Sequence, residues 1–216
     1  MQITIREPGS AITHFVAMML SLFAATPLLV KASAAADHIT VIALTVFILS
    51  MILLYAASTM YHSINTSAGI LKFFRKIDHM MIFVLIAGSY TPICLIVLGG
   101  QLGFTLLAVV WGLAIAGMAI KALWITCPKW FSSLIYIAMG WICIWVFHPL
   151  INNLPAAAIL WLLAGGILYT AGGIIYACKL TLFQSRYLYF GPHEVFHLFV
   201  MGGSVCHFIF MYLYVA

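Results

Sequence analysis

Charge is what this sequence has least of. Asp, Glu, Lys and Arg together make up 6% of its 216 residues, and 66% are hydrophobic, whereas soluble domains carry about a quarter charged residues. That balance excludes a soluble globule and predicts an integral membrane protein. Cysteine is sparse and unpatterned: Cys94, Cys127, Cys143, Cys178 and Cys206 are odd in number and form no CxxC, so no disulfide framework is visible and they point only to packing. No basic region precedes the first apolar run, and Ala24-Ala25-Thr26-Pro27 is a poor cleavage site, so that run is expected to be a retained helix. Internal repeats, low-complexity tracts and polar stretches long enough for a soluble domain are also missing. The surplus of basic residues is dispersed among short connections, so it builds no continuous face for nucleic acid.

What is present is apolar length. A membrane-spanning helix needs about 20 mostly apolar residues, and seven such runs occur, near 11–30, 39–63, 76–98, 104–122, 131–150, 156–177 and 192–214. The expectation is an all-α membrane protein, a single seven-helix transmembrane bundle over residues 1–216. Arg6, Lys72, Arg75, Lys76, Lys121, Lys129, Lys179 and Arg186 fall in connections on one side, and only Lys31 falls on the other. The positive-inside rule then places the N-terminus in the cytoplasm and the C-terminus outside.

Polar residues inside the spans are few and collect at the cytoplasmic end. Ser10 is expected to cap the first helix, with His14 one turn on. The second span ends in Ser58-x-x-x-His62, and the third opens on Ile77-Asp78-His79, where an intramembrane Asp is costly and reads as functional. Pro92 cannot donate to the carbonyl of Gly88 and should kink the third helix. The fourth to sixth spans contain no acidic residue and read as scaffold, with Gly112, Gly117, Gly140, Gly165, Gly166, Gly172 and Gly173 permitting close helix approach. The seventh begins Gly191-Pro192-His193-Glu194-Val195-Phe196-His197. Residues four apart share a helix face, so His193 and His197 can reach one metal ion. With His62 they would make a three-imidazole set that leaves one position for water, the open pattern of catalytic zinc. Asp78 suits an outer role, holding that water. His38 and His148 should lie at the far face, and His207, ten residues and about 15 Å of helix beyond His197, is too far along to share the metal.

These residues carry a resemblance. Ser58-x-x-x-His62, Asp78-His79 with the run through Gly88-Ser89-Tyr90-Thr91-Pro92, and His193-x-x-x-His197 with Gly203-Ser204-Val205-Cys206-His207-Phe208 resemble the hemolysin III family. That bacterial family is grouped with adiponectin and progestin receptors and, more distantly, alkaline ceramidases in the CREST superfamily. The resemblance implies zinc held by His62, His193 and His197, Asp78 on the zinc-bound water and Ser58 nearby. It also implies a multi-pass protein of the bacterial inner membrane and a zinc-dependent hydrolase acting on a lipid amide or ester, with membrane lipid as partner.

Three other readings stand beside it. One is a non-enzymatic receptor or lipid-homeostasis protein with a structural zinc. Another is an intramembrane metalloprotease, because His193-Glu194-Val195-Phe196-His197 spells HExxH, with Glu194 as general base; no Asp or Glu follows Glu194 to supply a further ligand. A haemolytic pore former fits poorly, since no polar stripe runs through a whole span.

Overall fold

A computed structural model describes residues 5–34, 38–178 and 191–216, and among them every regular element is a helix. Eight α-helices make seven spans: α1 (Pro8–Ala34), α2 (His38–Ser63), α3 (Ala68–Pro92), α4 (Gly100–Leu123), α5 (Lys129–Gly140), α6 (Phe147–Asn153), α7 (Ala156–Cys178) and α8 (Pro192–Phe210). Helices α5 and α6 form one span, joined by a tighter 3₁₀ turn at Trp141–Val146. Each span is long and apolar enough to cross a bilayer. Large side chains such as Phe23, Leu123 and Trp145 lie on the outside, 71%, 89% and 81% exposed, a pattern stable only against lipid.

Why each helix turns one face inward follows from its small and polar residues. Along α1 the buried positions are Ser10, Ala11, His14, Ala17, Ser21, Leu28 and Ala32, a stripe at roughly 3.5-residue spacing. Small side chains there let α1 lie close against α2 and α8. Neighbours then follow as α1, α2, α3, α5, α7, α8 and back to α1, while α4 packs chiefly on α3. Gly117 on α4 admits the Phe83 ring, and Gly165 on α7 admits His207; a Cβ at either would overlap that ring. Gly112 and Gly140 do not act this way, because a Cβ there would meet open space.

Lipid offers no hydrogen bonds, so every break in a helix must be repaired by side chains. At the 3₁₀ turn between α5 and α6, Tyr90 of α3 makes the repair. Its hydroxyl donates to the Gly140 carbonyl at 2.7 Å and accepts from the Cys143 N–H at 2.8 Å. Past Pro92 the third span continues as a wider π-helical run, Ile93–Leu98, instead of ending, and Asn153 Nδ2 donates to the Val97 carbonyl there. Lys76 caps the Ala122 carbonyl at the end of α4, and Lys31 caps Tyr212.

Several sequence expectations shift. Helix α3 starts at Ala68, so Lys72, Arg75 and Lys76 belong to its first turns and not to a loop; the basic residues lower local hydropathy without stopping the helix. Lys121 is likewise buried in α4, bonded to Cys127 and Ser132. Helix α1 begins at Pro8, so Ser10 lies inside its first turn and is not the N-cap. Lys179 and Arg186 lie outside the described residues.

Candidate metal centre

Three helix ends meet at one end of the bundle. The last turn of α2 carries His62, and the first two turns of α8 carry His193 and His197 on one face. One donor atom from each of the three lies within 4.8 Å of the others. His62 is 2% exposed and His197 1%. The Nε2 atoms of His62 and His193 face each other at 3.3 Å. Tetrahedral nitrogen donors about 2.0–2.1 Å from zinc stand about 3.3–3.4 Å apart, so this pair already has the spacing of two ligands to one ion.

The opposite ring nitrogens are engaged. His62 Nδ1 meets the Glu7 carboxylate, and His197 Nδ1 meets Thr13 Oγ1 at 3.1 Å. Glu7 immediately precedes α1 and Thr13 lies in its second turn; neither is among the site residues expected from the sequence. A usable signal was there: Glu7, Ser10, Thr13 and His14 share one face at the head of an otherwise apolar helix.

His14 is a neighbour and not a fourth donor in this set. Its ring stacks on His197, centroids 3.5 Å apart and planes 9° from parallel. Neither of its nitrogens has a hydrogen-bond partner among the described residues, and the same is true of Ser58 Oγ. Both residues are buried, and buried polar atoms without partners point to a polar occupant beside them. His14, Ser58 and Asp78 line the same cavity as His193 and His197.

Asp78 lies outside the cluster of donor atoms and in the cavity wall. It is buried, with Oδ2 3.4 Å from His79 Nδ1, and His79 Nδ1 also bonds the Arg75 carbonyl at 2.9 Å. Asp78 sits ten residues into α3, too deep to serve as a first-turn dipole residue. The cavity, about 190 Å³, is otherwise walled mainly by aliphatic and aromatic side chains such as Leu54, Ile82, Ile86, Leu162 and Val200. Along α8 it runs from His193 to His207, about 21 Å of helix rise. Helix α4 contributes nothing to its wall.

Glu194 faces elsewhere. Its Oε2 accepts the Gly191 N–H at 2.7 Å, closing the first turn of α8, and its Oε1 accepts the Ser10 hydroxyl at 2.5 Å. Both carboxylate oxygens are thus committed to a helix cap and a tether to α1. His38 and His148 lie away from the cavity, and His38 begins α2 at the end opposite His62.

The donor set is chemically suited to a borderline-soft divalent ion: three imidazoles, two of them backed by acceptors, beside a carboxylate and a hydroxyl. Comparison with known proteins gives the lineage. The family model described as haemolysin-III related matches residues 2–208. Hemolysin-3 of Bacillus cereus is 42% identical over 209 residues, covering 97% of this chain and 91% of that protein. A hemolysin-3 homolog of Bacillus subtilis (strain 168) is 39% identical over 212 residues, covering 98% and 95%. The chain belongs to the haemolysin-III-related family of multi-pass membrane proteins.

Proposed function

We propose that the chain is a membrane-embedded zinc hydrolase that cleaves an amide or ester bond in a lipid, with zinc held by His62, His193 and His197. One observation carries the reading: three imidazoles converge, and two of them, His193 and His197, line one end of a long apolar cavity whose polar wall groups include Asp78, Ser58 and His14. An acyl chain fits the apolar length, and the scissile carbonyl then lies among the polar groups. Zinc, when bound, supplies Lewis acidity toward a carbonyl and toward water.

The chain's own residues do the rest. An Asp78 carboxylate oxygen orients the attacking water and takes its proton, and the nearby His79 ring steadies that carboxylate. Ser58 Oγ, without a hydrogen-bond partner among the described residues, donates to the carbonyl oxygen as it gains charge. The apolar walls keep bulk water away, which strengthens both interactions. The distribution of basic residues supports an N-terminus in the cytoplasm, and with it a site in the inner leaflet of the plasma membrane, open to lipid arriving sideways.

The test is product analysis of defined bilayers containing purified wild type or Asp78→Asn. A lipid fragment that forms with wild type alone supports the hydrolase; identical turnover by both, or none by either across amide and ester lipids, contradicts it.

A second reading has its own support. The three histidines belong to α2 and α8, which α1 separates in the ring of neighbours, so a metal there would also act as a clasp. A receptor or lipid-homeostasis protein with structural zinc would lose thermal stability on His62→Ala and turn over no lipid.

A further inference from the structure

Helix α1 supplies none of the three donor nitrogens, yet its first two turns and the residue just before them touch both helices that do. We propose that Glu7 and Thr13 are positioning residues that select the tautomer and fix the tilt of His62 and His197, so that both Nε2 lone pairs face the metal. The inference rests on the metal reading above and concerns residues that this reading does not use.

A neutral imidazole has one N–H and one lone pair, and the partner of one nitrogen decides which the other presents. An ionised carboxylate only accepts. Glu7 against His62 Nδ1 therefore keeps the proton on Nδ1 and the lone pair on Nε2, the atom 3.3 Å from His193. Thr13 reaches the same end by a different route. Its single hydroxyl proton is directed at the carbonyls of Gly9 and Ser10, 3.0 and 2.9 Å away, so it meets His197 Nδ1 as an acceptor. His197 then also shows its Nε2 lone pair, with the His14 ring stacked flat on one face to hold the tilt.

Glu7 is itself held in register. Its N–H donates to the His62 carbonyl at 3.0 Å, and Arg6 Nη2 donates to the Tyr61 carbonyl at 2.7 Å while lying 3.4 Å from Glu7 Oε2. The Arg6-Glu7 pair thus grips the end of α2 by backbone and side chain together. At the other edge, Ser10 ties α1 to the Glu194 cap of α8. The head of α1 is a bracket between the two ligand-bearing helices.

Partners of this kind typically tune metal affinity by about 10–100-fold. The experiment is chelator competition for Zn²⁺, with the absorption of the Co²⁺-loaded protein as a geometry readout, on the full chain in detergent. Metal-free melting is recorded in parallel. Thr13→Val, which keeps the shape but loses the acceptor, and Glu7→Leu should each bind Zn²⁺ about 10–100-fold more weakly and alter the Co²⁺ spectrum. Thr13→Ser should restore both, and Glu7→Gln, an acceptor without charge, should fall between. Affinities and spectra equal to wild type, with only the metal-free melting lowered, would assign these residues to packing and overturn the inference while leaving the metal centre standing. Wild type that binds no stoichiometric metal would overturn the metal reading and this inference with it. Should Glu7→Leu fail to fold, the Thr13 pair decides.

Discussion

The Nε2 atoms of His62 and His193 stand 3.3 Å apart across 131 residues of chain. With Glu7 holding a proton on the far side of the His62 ring, His62 presents a lone pair at the point where the two nitrogens meet. A cation at that point can take nitrogen donors from both rings at once.

The first prediction concerns that cation. Purified protein should bind one zinc per chain, and His62→Ala, His193→Ala and His197→Ala should each remove it. Saturating metal should raise the thermal midpoint of wild type, since a ligand at about 100 times its Kd stabilises by about 2.7 kcal/mol, and leave the three variants unmoved. Elemental analysis and metal-titrated melting curves read both.

Asp78 separates binding from chemistry. It lines the cavity outside the donor cluster, so Asp78→Asn should keep its zinc while losing about 10²–10⁴-fold in turnover. Loss of zinc in this variant would make Asp78 a ligand and not a proton acceptor.

Tyr90 offers a test of the fold. Tyr90→Phe leaves the Gly140 carbonyl and the Cys143 N–H without the hydroxyl that serves both. An unsatisfied buried polar group costs about 1–3 kcal/mol, measurable as a lowered unfolding midpoint in mixed micelles.

Helix approach can be checked with a matched pair on α4. Gly117→Ala should destabilise by about 1–3 kcal/mol, because the added methyl overlaps the Phe83 ring. Gly112→Ala meets nothing within 4 Å and should be neutral or slightly stabilising, since Ala favours the helix.

Much of this arrangement is legible in the sequence, for identifiable reasons. Seven apolar runs announce seven spans, because hydrocarbon thickness imposes a length that composition alone can reveal. His193 and His197 share a face through local helix geometry, and alternating span direction brings His62 to the same end. Other parts depend on contacts that no local period encodes. Glu7 meets His62 across 55 residues and Thr13 meets His197 across 184, each through a single polar side chain. The start of α3 at Ala68 is hidden by Lys72, Arg75 and Lys76, which suit the water-facing end of a helix as well as they suit a loop. Glu194 shows the opposite hazard. Its HExxH setting suggests a general base, but the first turn of α8 needs a cap, and Glu194 fills that need.

X-ray absorption at the zinc edge of the loaded protein, in its membrane-like environment, reads the ligand set itself. Three imidazole nitrogens at about 2.0–2.1 Å, one further light donor not supplied by the protein, and no sulfur are expected. A sulfur shell near about 2.3 Å, or a sphere filled entirely by side chains, would contradict that set.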